Sequence, residues 1–305
     1  MDTPKTSLPF PDPAHPSEVR AFLRGAGFHP SRVLGQNFLI DRNILDIVVG
    51  AAEVEAGTEV LEVGPGLGAL TEALLAKGVR LTAVEKDKRL AGWLRERYAG
   101  REHFSLHEGD ALEADWRALC PGPGRVLVSN LPYAIAARLL VDLAALPHPP
   151  VRMVVTVQRE VADRMAAAPS TADYGLLSIL LQRKYAVSVV KQVARTCFWP
   201  PPEVQSTVCR LDLRPEGERG RADDGEFRRI LRLAFSARRK TLARSLRGEA
   251  EDVAGVLEKA GVAATARAEE LGPEVWDGVV FGLGKGKAAR SESSLYRGGV
   301  RISGP

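Results

Sequence analysis

The chain has 305 residues, of which 45% are apolar and 26% are charged, and its mean hydropathy is −0.09. This composition is typical of a soluble globular protein with one or two domains, and it excludes a chain that crosses a membrane or is disordered throughout. Cys120, Cys197 and Cys209 lack the CxxC spacing of a zinc or redox site, so we expect no metal and a cytoplasmic location. The net charge of +4 permits a polyanionic partner without requiring one.

The first 18 residues are rich in proline and lack the apolar stretch that a signal peptide needs. We therefore expect residues 1–18 to form a disordered leader. A short helical pattern follows, with Val19, Phe22 and Leu23 on one face and a glycine-rich end.

Residues 59–156 alternate between short β-prone runs and helical periods. Such alternation is typical of βαβ units, and strands that are nearly all apolar indicate a parallel sheet covered on both faces. Two further β-prone runs, at 185–193 and 207–213, are expected at the edge of this sheet. The prediction is an α/β domain over residues 19–213 with a doubly wound, Rossmann-like sheet.

A polar, glycine-rich stretch at 214–225 is typical of a linker. Beyond it, helical patterns at 227–246, 250–260 and 273–283 predict a small all-helical C-terminal domain over residues 222–283. Residues 285–305 are rich in glycine, serine and basic side chains, so we expect them to form a disordered basic tail.

A glycine-rich turn, GPGLG at 64–68, lies between the first strand of the predicted sheet and the helix that follows. Glycine there lets the backbone approach a ligand at the carboxyl end of the sheet, where doubly wound folds bind nucleosides. The spacing differs from the G-x-G-x-x-G of dinucleotide-binding proteins. A tight turn without any ligand would also explain Gly64 and Gly66.

Acidic side chains follow the next two predicted strands. Glu85 comes about twenty residues after the glycine turn, where a carboxylate can accept hydrogen bonds from both ribose hydroxyls. Asp110 follows the third strand and can accept from the exocyclic amine of an adenine. Either residue alone could be a helix cap or a loop charge. Together they favour a ligand that lacks phosphate and carries a positive sulfonium.

The fourth predicted strand ends in Asn130, Leu131, Pro132 and Tyr133. The N6 nitrogen of adenine is a poor nucleophile, because its lone pair is delocalised into the ring. It becomes a better one when its N–H groups donate hydrogen bonds to fixed acceptors. The Asn130 side-chain oxygen supplies one acceptor, and the Leu131 carbonyl, held extended by Pro132, supplies a second. Tyr133 offers a flat face on which a flipped-out base can stack. The alternative interpretation is a simple turn with a packed tyrosine.

Five motifs occur in order along the chain: GQNFL at 35–39, VGPGLG at 63–68, NLPY at 130–133, FWPPPEVQS at 198–206 and AFSARRKTL at 234–242. In these motifs the chain resembles the ribosomal RNA adenine N6,N6-dimethyltransferases of the small subunit. The resemblance covers roughly residues 30–283 and implies a class I methyltransferase fold with S-adenosylmethionine as cofactor. It implies that two adjacent adenosines near the 3′ end of 16S ribosomal RNA each receive two methyls. The implied partner is small-subunit RNA within a ribosomal particle, and we expect a monomer that binds no membrane.

The resemblance also assigns roles to residues. The expected cofactor-binding residues are Asn37, Leu39, Gly64, Gly66, Glu85, Asp110 and Asn130. The expected catalytic residues are Asn130, Leu131, Pro132, Tyr133 and Phe198. Phe198 matches an aromatic residue that the family places opposite the tyrosine, which implies that the target adenine lies between Tyr133 and Phe198. Ser129 departs from the glycine of many relatives, and we expect its side chain to point away from the site.

Basic residues are concentrated between positions 228 and 247, without an intervening acidic residue. Such a run is typical of a surface that binds phosphates, although a solvated helix face produces the same pattern. Beside an adenine site the RNA-binding interpretation is favoured, with a cleft between the two domains. The expected RNA contacts are Arg238, Arg239, Lys240 and Arg244.

Three alternatives remain open. The first is the related enzyme type that methylates one large-subunit adenosine and confers antibiotic resistance; Leu131 and the motif at 198–206 weigh against it. The second is a non-catalytic RNA-binding assembly or transcription factor on the same fold, against which the intact loop at 130–133 and Glu85 argue. The third is a nicotinamide-dependent dehydrogenase, which the glycine spacing disfavours.

Overall fold

The computed structural model describes residues 11–31, 34–119, 121–220, 222–237 and 240–296, with the backbone alone for 285–296. The chain divides into two compact units. The first comprises the described residues up to Ala166 together with Tyr185–Arg214, and the second comprises Ala167–Lys184 and the described residues from Pro215 onward. The division differs from the predicted boundaries, because residues 167–184 were expected in the first domain.

The first unit is built on a seven-stranded sheet in the order β4-β3-β2-β5-β6-β9-β7, and β1 and β8 form a separate antiparallel pair. The strands in chain order are β1 (Phe38–Leu39), β2 (Glu59–Val63), β3 (Arg80–Glu85), β4 (Phe104–Glu108), β5 (Val126–Asn130), β6 (Arg152–Gln158), β7 (Tyr185–Val193), β8 (Phe198–Trp199) and β9 (Ser206–Leu213). Strands β2 to β6 are parallel, whereas β9 is antiparallel to β6 and β7. The predicted doubly wound α/β fold is confirmed. Strand β7 is the edge, but β9 lies inside it.

Seven helices of the described residues accompany this sheet: α1 (Pro16–Gly25), α2 (Arg42–Ala52), α3 (Ala69–Leu75), α4 (Lys88–Arg97), α5 (Trp116–Leu119), α6 (Ala136–Ala144) and α7 (Arg159–Ala166). Helix α2 begins after Asp41, whose side chain accepts from the Ile44 N–H and so satisfies a free donor of the first turn. Its buried face, with Leu45 and Val48, packs in one cluster with Val128 and Val154 of the sheet. Burial of this apolar stripe is what holds the helix on the sheet.

The segment before α1 differs from the prediction of a disordered leader through residue 18. Pro16 occupies the first turn of α1, where its fixed φ suits a helix start. Pro11 and Pro13 are buried, and the Pro11 carbonyl accepts a hydrogen bond from Arg97 at 2.9 Å. Residues 1–10 lie outside the described residues. From Pro11 onward the segment is therefore part of the folded unit.

The strand order reverses between β2 and β5, and there the sheet opens. These two strands pair only at Val60–Val126 and Leu61–Leu127, so their carboxyl ends are left unpaired with each other. Ser129, fully buried, donates its hydroxyl to the Val63 carbonyl at 2.6 Å across this gap. In doubly wound sheets such a switch point is where ligands bind.

The second unit contains five helices among its described residues: α8 (Leu176–Gln182), α9 (Asp224–Phe235), α10 (Leu242–Ser245), α11 (Val253–Lys259) and α12 (Pro273–Tyr296). Their core includes the fully buried Phe227, Leu257 and Trp276. The all-helical prediction agrees with these elements, but the pattern at 227–246 is divided between α9 and α10. Helix α12 continues to Tyr296, so residues 285–296 are helical and not the disordered tail that was expected. In the described parts of both units, every helix is too short or too polar to cross a bilayer.

Candidate functional site

A cavity lies at the carboxyl ends of β2, β3, β4 and β5 and encloses about 1140 Å³, including its open mouth. Every predicted cofactor-binding residue lines it, as do the three loop residues of the expected catalytic set. These are Asn37, Leu39, Gly64, Gly66, Glu85, Asp110 and Asn130, with Leu131, Pro132 and Tyr133. Pro13, outside all the predicted motifs, also contributes to the wall. Residues far apart in sequence therefore meet at one site.

The glycine turn passes too close to its neighbours for larger residues. Gly64 and Gly66 have φ angles of +68° and +61°, which side chains disfavour. A Cβ atom on Gly66 would lie 2.9 Å from the Phe38 ring, and one on Gly64 would lie 3.3 Å from Pro132. The turn therefore brings its bare backbone against both the segment around β1 and the loop after β5.

Glu85 is 6% exposed and lines the cavity. Its carboxylate accepts hydrogen bonds from the Gly66 N–H at 3.2 Å and the Asp87 N–H at 2.9 Å. Burial raises the pKa of Glu85 to about 7, although these hydrogen bonds favour the charged form. The carboxylate keeps acceptor capacity that a ribose hydroxyl could use.

Asp110 lies beside Lys86 on the same wall. Its Oδ1 accepts from the Leu112 N–H at 2.9 Å, and its Oδ2 accepts from Lys86 Nζ at 2.6 Å. The hydrogen bond from Lys86 lowers the pKa of Asp110, so this carboxyl is an anion near neutral pH. Lys86 was not singled out in the sequence, where a lysine after a strand has the pattern of ordinary surface charge.

Asn130 is held by the segment before β1. Its Nδ2 donates to the Asn37 carbonyl at 3.0 Å, while its Oδ1 is buried and has no hydrogen-bond partner among the described residues. Since a carbonyl can only accept, the amide nitrogen must face Asn37. Oδ1 is therefore an oriented acceptor with its capacity unused.

The loop after Asn130 is fixed at both ends. The Leu131 N–H donates to the Thr156 carbonyl at 3.1 Å, which continues the β5–β6 ladder. The Tyr133 hydroxyl lies 2.6 Å from the hydroxyl of Ser206, and burial raises the pKa of Tyr133. Ser206 belongs to the quoted motif at 198–206, so that motif reaches the site through this contact.

Phe198 lies elsewhere than expected. Its side chain is 1% exposed and packs in the core with Leu39, its strand partner, and with Val208. It is not among the described residues that line the cavity. Phe198 pairs with β1 through Leu39 and is buried beside the cavity wall instead of lining it, so its role opposite Tyr133 stays a prediction.

Glu62 is a cavity residue that the sequence reasoning missed. It is 2% exposed, and its carboxyl accepts from the Thr71 hydroxyl at 2.7 Å. Burial raises its pKa to about 8, and the nearby Glu85 contributes. An acidic residue between the apolar Leu61 and Val63 of β2 was the available signal, since burial of an unpaired charge is costly.

The predicted RNA contacts are only partly described. Arg238 and Arg239 lie outside the described residues, whereas Lys240 and Arg244 are exposed in the second unit. Arg229, in the same basic run, pairs with Glu226 and Glu249 at 2.7 Å and 2.5 Å, so it is engaged within the protein. Among the described residues, no group of three His, Cys, Asp or Glu side chains is placed to hold a metal ion.

The sheet order, the open switch point and the acidic strand ends define a class I methyltransferase. The sequence profile of the family described as ribosomal RNA adenine dimethylase matches residues 28–278. The chain belongs to this family, as the motifs predicted, and it is an S-adenosylmethionine-dependent methyltransferase.

Individual relatives agree. The Ribosomal RNA small subunit methyltransferase A of Acidobacterium capsulatum is 41% identical over 263 residues, which cover 85% of this chain and 93% of that protein. The protein of the same name from Thiobacillus denitrificans is 44% identical over 218 residues, covering 71% and 84%. These similarities extend across both units of the chain.

Two solved structures share the fold. A dimethyladenosine transferase from Plasmodium falciparum superposes with a TM-score of 0.70 at 24% identity, covering 81% of this chain and 97% of that one. The 23S rRNA methyltransferase ErmE superposes with a TM-score of 0.62 at 29% identity, covering 81% and 100%. The first similarity shows the fold alone.

Proposed function

We propose that this enzyme methylates the N6 atoms of two adjacent adenosines near the 3′ end of small-subunit ribosomal RNA and places two methyls on each. The single observation that carries the proposal is the Asn130 amide, whose Oδ1 is an oriented acceptor beside the cavity without a partner among the described residues. The names of the relatives, which specify small-subunit ribosomal RNA, support the choice of substrate.

The cavity residues fit S-adenosylmethionine. Glu85 would accept from the ribose hydroxyls and Asp110 from the adenine amine, while the bare backbone at Gly64 and Gly66 leaves room for the chain that carries the sulfur. When bound, the donor supplies an electrophilic methyl group on a positively charged sulfur. The residues that we propose for this role are those of the expected set, including Asn37 and Leu39.

The loop after β5 would bind and orient the target base. Tyr133 would stack on the adenine, while Asn130 Oδ1 and the Leu131 carbonyl would accept hydrogen bonds from the two N6–H groups and so direct the nitrogen lone pair at the methyl group. Oδ1 of Asn130 is buried and has no hydrogen-bond partner among the described residues, so its acceptor capacity is left for the base. The methylated nitrogen is cationic and acidic, so its proton can pass to water without a strong base.

We further propose that the enzyme acts as a monomer on RNA within a ribosomal particle. Exposed Lys240 and Arg244 of the second unit would contact phosphates. We retain Arg238 and Arg239 in the same proposed role from the sequence pattern alone.

The deciding experiment transfers tritiated methyl from S-adenosylmethionine to unmethylated small subunits, large subunits and naked ribosomal RNA, followed by mapping of the labelled nucleotide. We expect label in dimethyladenosine of the small-subunit RNA, with the particle as the better substrate. Label on a single adenosine of the large subunit would instead support the function named for ErmE, to which the chain is 29% identical. No transfer to any substrate would contradict catalysis.

A further inference from the structure

Lys86 and Asp110 stand next to each other at the ends of neighbouring strands. Glu85 and Glu108 are register partners in β3 and β4, and the Gly109 N–H donates to the Glu85 carbonyl at 2.9 Å, which continues the ladder. Lys86 comes directly after β3 and Asp110 comes two residues after the end of β4, and both line the cavity. Backbone pairing therefore fixes their proximity.

The Asp110 carboxylate is oriented before any ligand binds. Its two oxygens accept from the Leu112 N–H at 2.9 Å and from Lys86 Nζ at 2.6 Å. A carboxylate offers about four acceptor positions, so two remain for a ligand. Of these contacts, the one from Leu112 does not depend on Lys86.

The Lys86 ammonium has donors to spare. It carries three N–H groups, of which one is directed to Asp110. Its side chain is 57% exposed, compared with 20% for Asp110, so the ammonium lies on the open side of the carboxylate. The pair therefore presents a hydrogen-bond acceptor and a hydrogen-bond donor side by side on one cavity wall.

A purine base can form a hydrogen bond with either member of this pair through the substituent at its 6-position. A 6-amino purine donates a hydrogen bond and is suited to Asp110, whereas a 6-oxo purine only accepts there and is suited to Lys86. We propose that Lys86 determines how strongly the cavity discriminates between 6-amino and 6-oxo purine nucleosides in the methyl donor and its product. Lys86 supplies the 6-oxo form with a donor that it would otherwise lack. The inference rests on the proposed donor site, in which Asp110 faces the adenine amine.

The test compares S-adenosylhomocysteine with its 6-oxo counterpart, S-inosylhomocysteine, by calorimetry on the full chain. In Lys86→Met we expect the affinity for the 6-oxo ligand to fall about threefold to tenfold, the range of one hydrogen bond, while that for the 6-amino ligand changes less than about twofold. Lys86→Arg keeps a hydrogen-bond donor and should have the wild-type ratio of 6-oxo affinity to 6-amino affinity. Lys88→Met, two residues along at an exposed position, is the matched control and should leave both affinities unchanged.

Failure of the inference about Lys86 and failure of the proposed donor site would give different results. An equal loss for both ligands in Lys86→Met would show a structural role for Lys86 and overturn the inference, as would an unchanged ratio. If the wild-type chain bound neither ligand, the proposed donor site itself would be wrong. The inference would be supported if the ratio of 6-oxo affinity to 6-amino affinity fell in Lys86→Met and had its wild-type value in Lys86→Arg. A general loss of folding would lower the affinities for both ligands by the same factor and leave this ratio unchanged.

Discussion

Asn130 has only one favourable amide orientation, because the Asn37 carbonyl receives its Nδ2 at 3.0 Å. A rotated amide would set two oxygens against each other in a buried place, which costs the hydrogen bond and adds repulsion. The proposed catalytic acceptor is therefore oriented by a residue 93 positions earlier in the chain. Such preorganisation is the usual source of electrostatic catalysis.

Asn130→Ala is expected to lower the rate of methyl transfer by roughly 100-fold, because an acceptor aligned with the N6 protons matters most in the transition state. Single-turnover kinetics with saturating donor measure this rate, and donor affinity is measured in parallel since Asn130 also lines the donor cavity. Wild-type transfer by Asn130→Ala would contradict the role proposed for the loop and revive the assembly-factor alternative.

Tyr133 provides the matched comparison. Tyr133→Phe loses the contact with Ser206 but keeps the aromatic face, so most activity should remain. Tyr133→Ala removes the stacking surface, which is worth on the order of 1–3 kcal/mol per base, and should weaken productive RNA binding. Equal activities of the two variants would exclude stacking.

Glu85 should make donor binding depend on pH. Its pKa is raised to about 7, so the protonated fraction rises from about a tenth at pH 8 to about nine tenths at pH 6. Since the carboxylate is the better ribose acceptor, donor affinity should fall about fivefold to tenfold over this interval. Calorimetry at several pH values measures the trend.

Glu85→Gln should bind donor more weakly at pH 8 and nearly independently of pH. Glu62, with a pKa of about 8, faces the same cavity, so Glu62→Gln is the second variant. A pH dependence that survives in Glu85→Gln and vanishes in Glu62→Gln would transfer the effect to Glu62. The free energy of unfolding depends on pH in the opposite direction to donor affinity. The raised pKa of Glu85 favours the folded state below about pH 4, and this contribution is lost as the pH rises through about 7.

At the scale of elements, α8 shows why a domain boundary was misplaced. Arg183 follows α8, and its side chain is 2% exposed. Its guanidinium bonds Asp224 at the start of α9 at 2.9 Å and Asp277 of α12 at 3.0 Å, and it lies 3.8 Å from the centre of the Phe227 ring. One buried cation therefore joins three helices of the second unit that are distant in sequence.

Arg183→Met should destabilise the second unit by about 3 kcal/mol, because removing one member of a buried ion network leaves the partners without compensation. Hydrogen exchange should show lost protection in α9 and the described part of α12, with the sheet of the first unit unaffected. Arg232→Met makes the same chemical change at an exposed position of α9 and should have little effect. Equal protection in the two variants would argue against the network.

At the scale of the whole molecule, the small positive excess of 42 basic over 38 acidic residues says little until the positions are known. Some basic residues between 228 and 247 form ion pairs within the protein, as Arg229 does with Glu226 and Glu249. Arg244 and Arg247 are exposed, and the described residues offer them no ion-pair partner. These two side chains are therefore suited to contact phosphates.

Arg244→Ala combined with Arg247→Ala should weaken RNA binding and flatten its dependence on log salt by about one to two units, because two fewer phosphates are neutralised. Donor affinity should not change. Arg80→Ala with Arg101→Ala removes the same charge near the amino ends of β3 and β4, away from the cavity, and serves as the control. If both pairs reduced the slope equally, the effect would be one of net charge.

The sequence by itself determined the α/β class, the family and a core set of the cavity residues. These depend on local patterns: periodicity gives the element type, glycines mark the turn, and the carboxyl ends of parallel strands converge in any doubly wound sheet. Glu85, Asp110 and Asn130 were found in this way, because Glu85 and Asn130 are the last residues of β3 and β5 and Asp110 comes two residues after β4. For such residues, the strand order of the sheet is nearly enough to predict their position in the fold.

Only the tertiary structure decided where Phe198, α8 and the segment from Pro11 lie, and that Glu62 and Lys86 belong to the cavity. Each depends on a contact between distant residues: pairing of β1 with β8 turns Phe198 inward, Arg183 draws α8 to α9 and α12, and Arg97 holds the Pro11 carbonyl. Such contacts leave no periodic trace, since a buried and an exposed charge have the same letter in the sequence. Burial and partners are set by the fold, and they in turn set the charge state and orientation of the groups that do the chemistry.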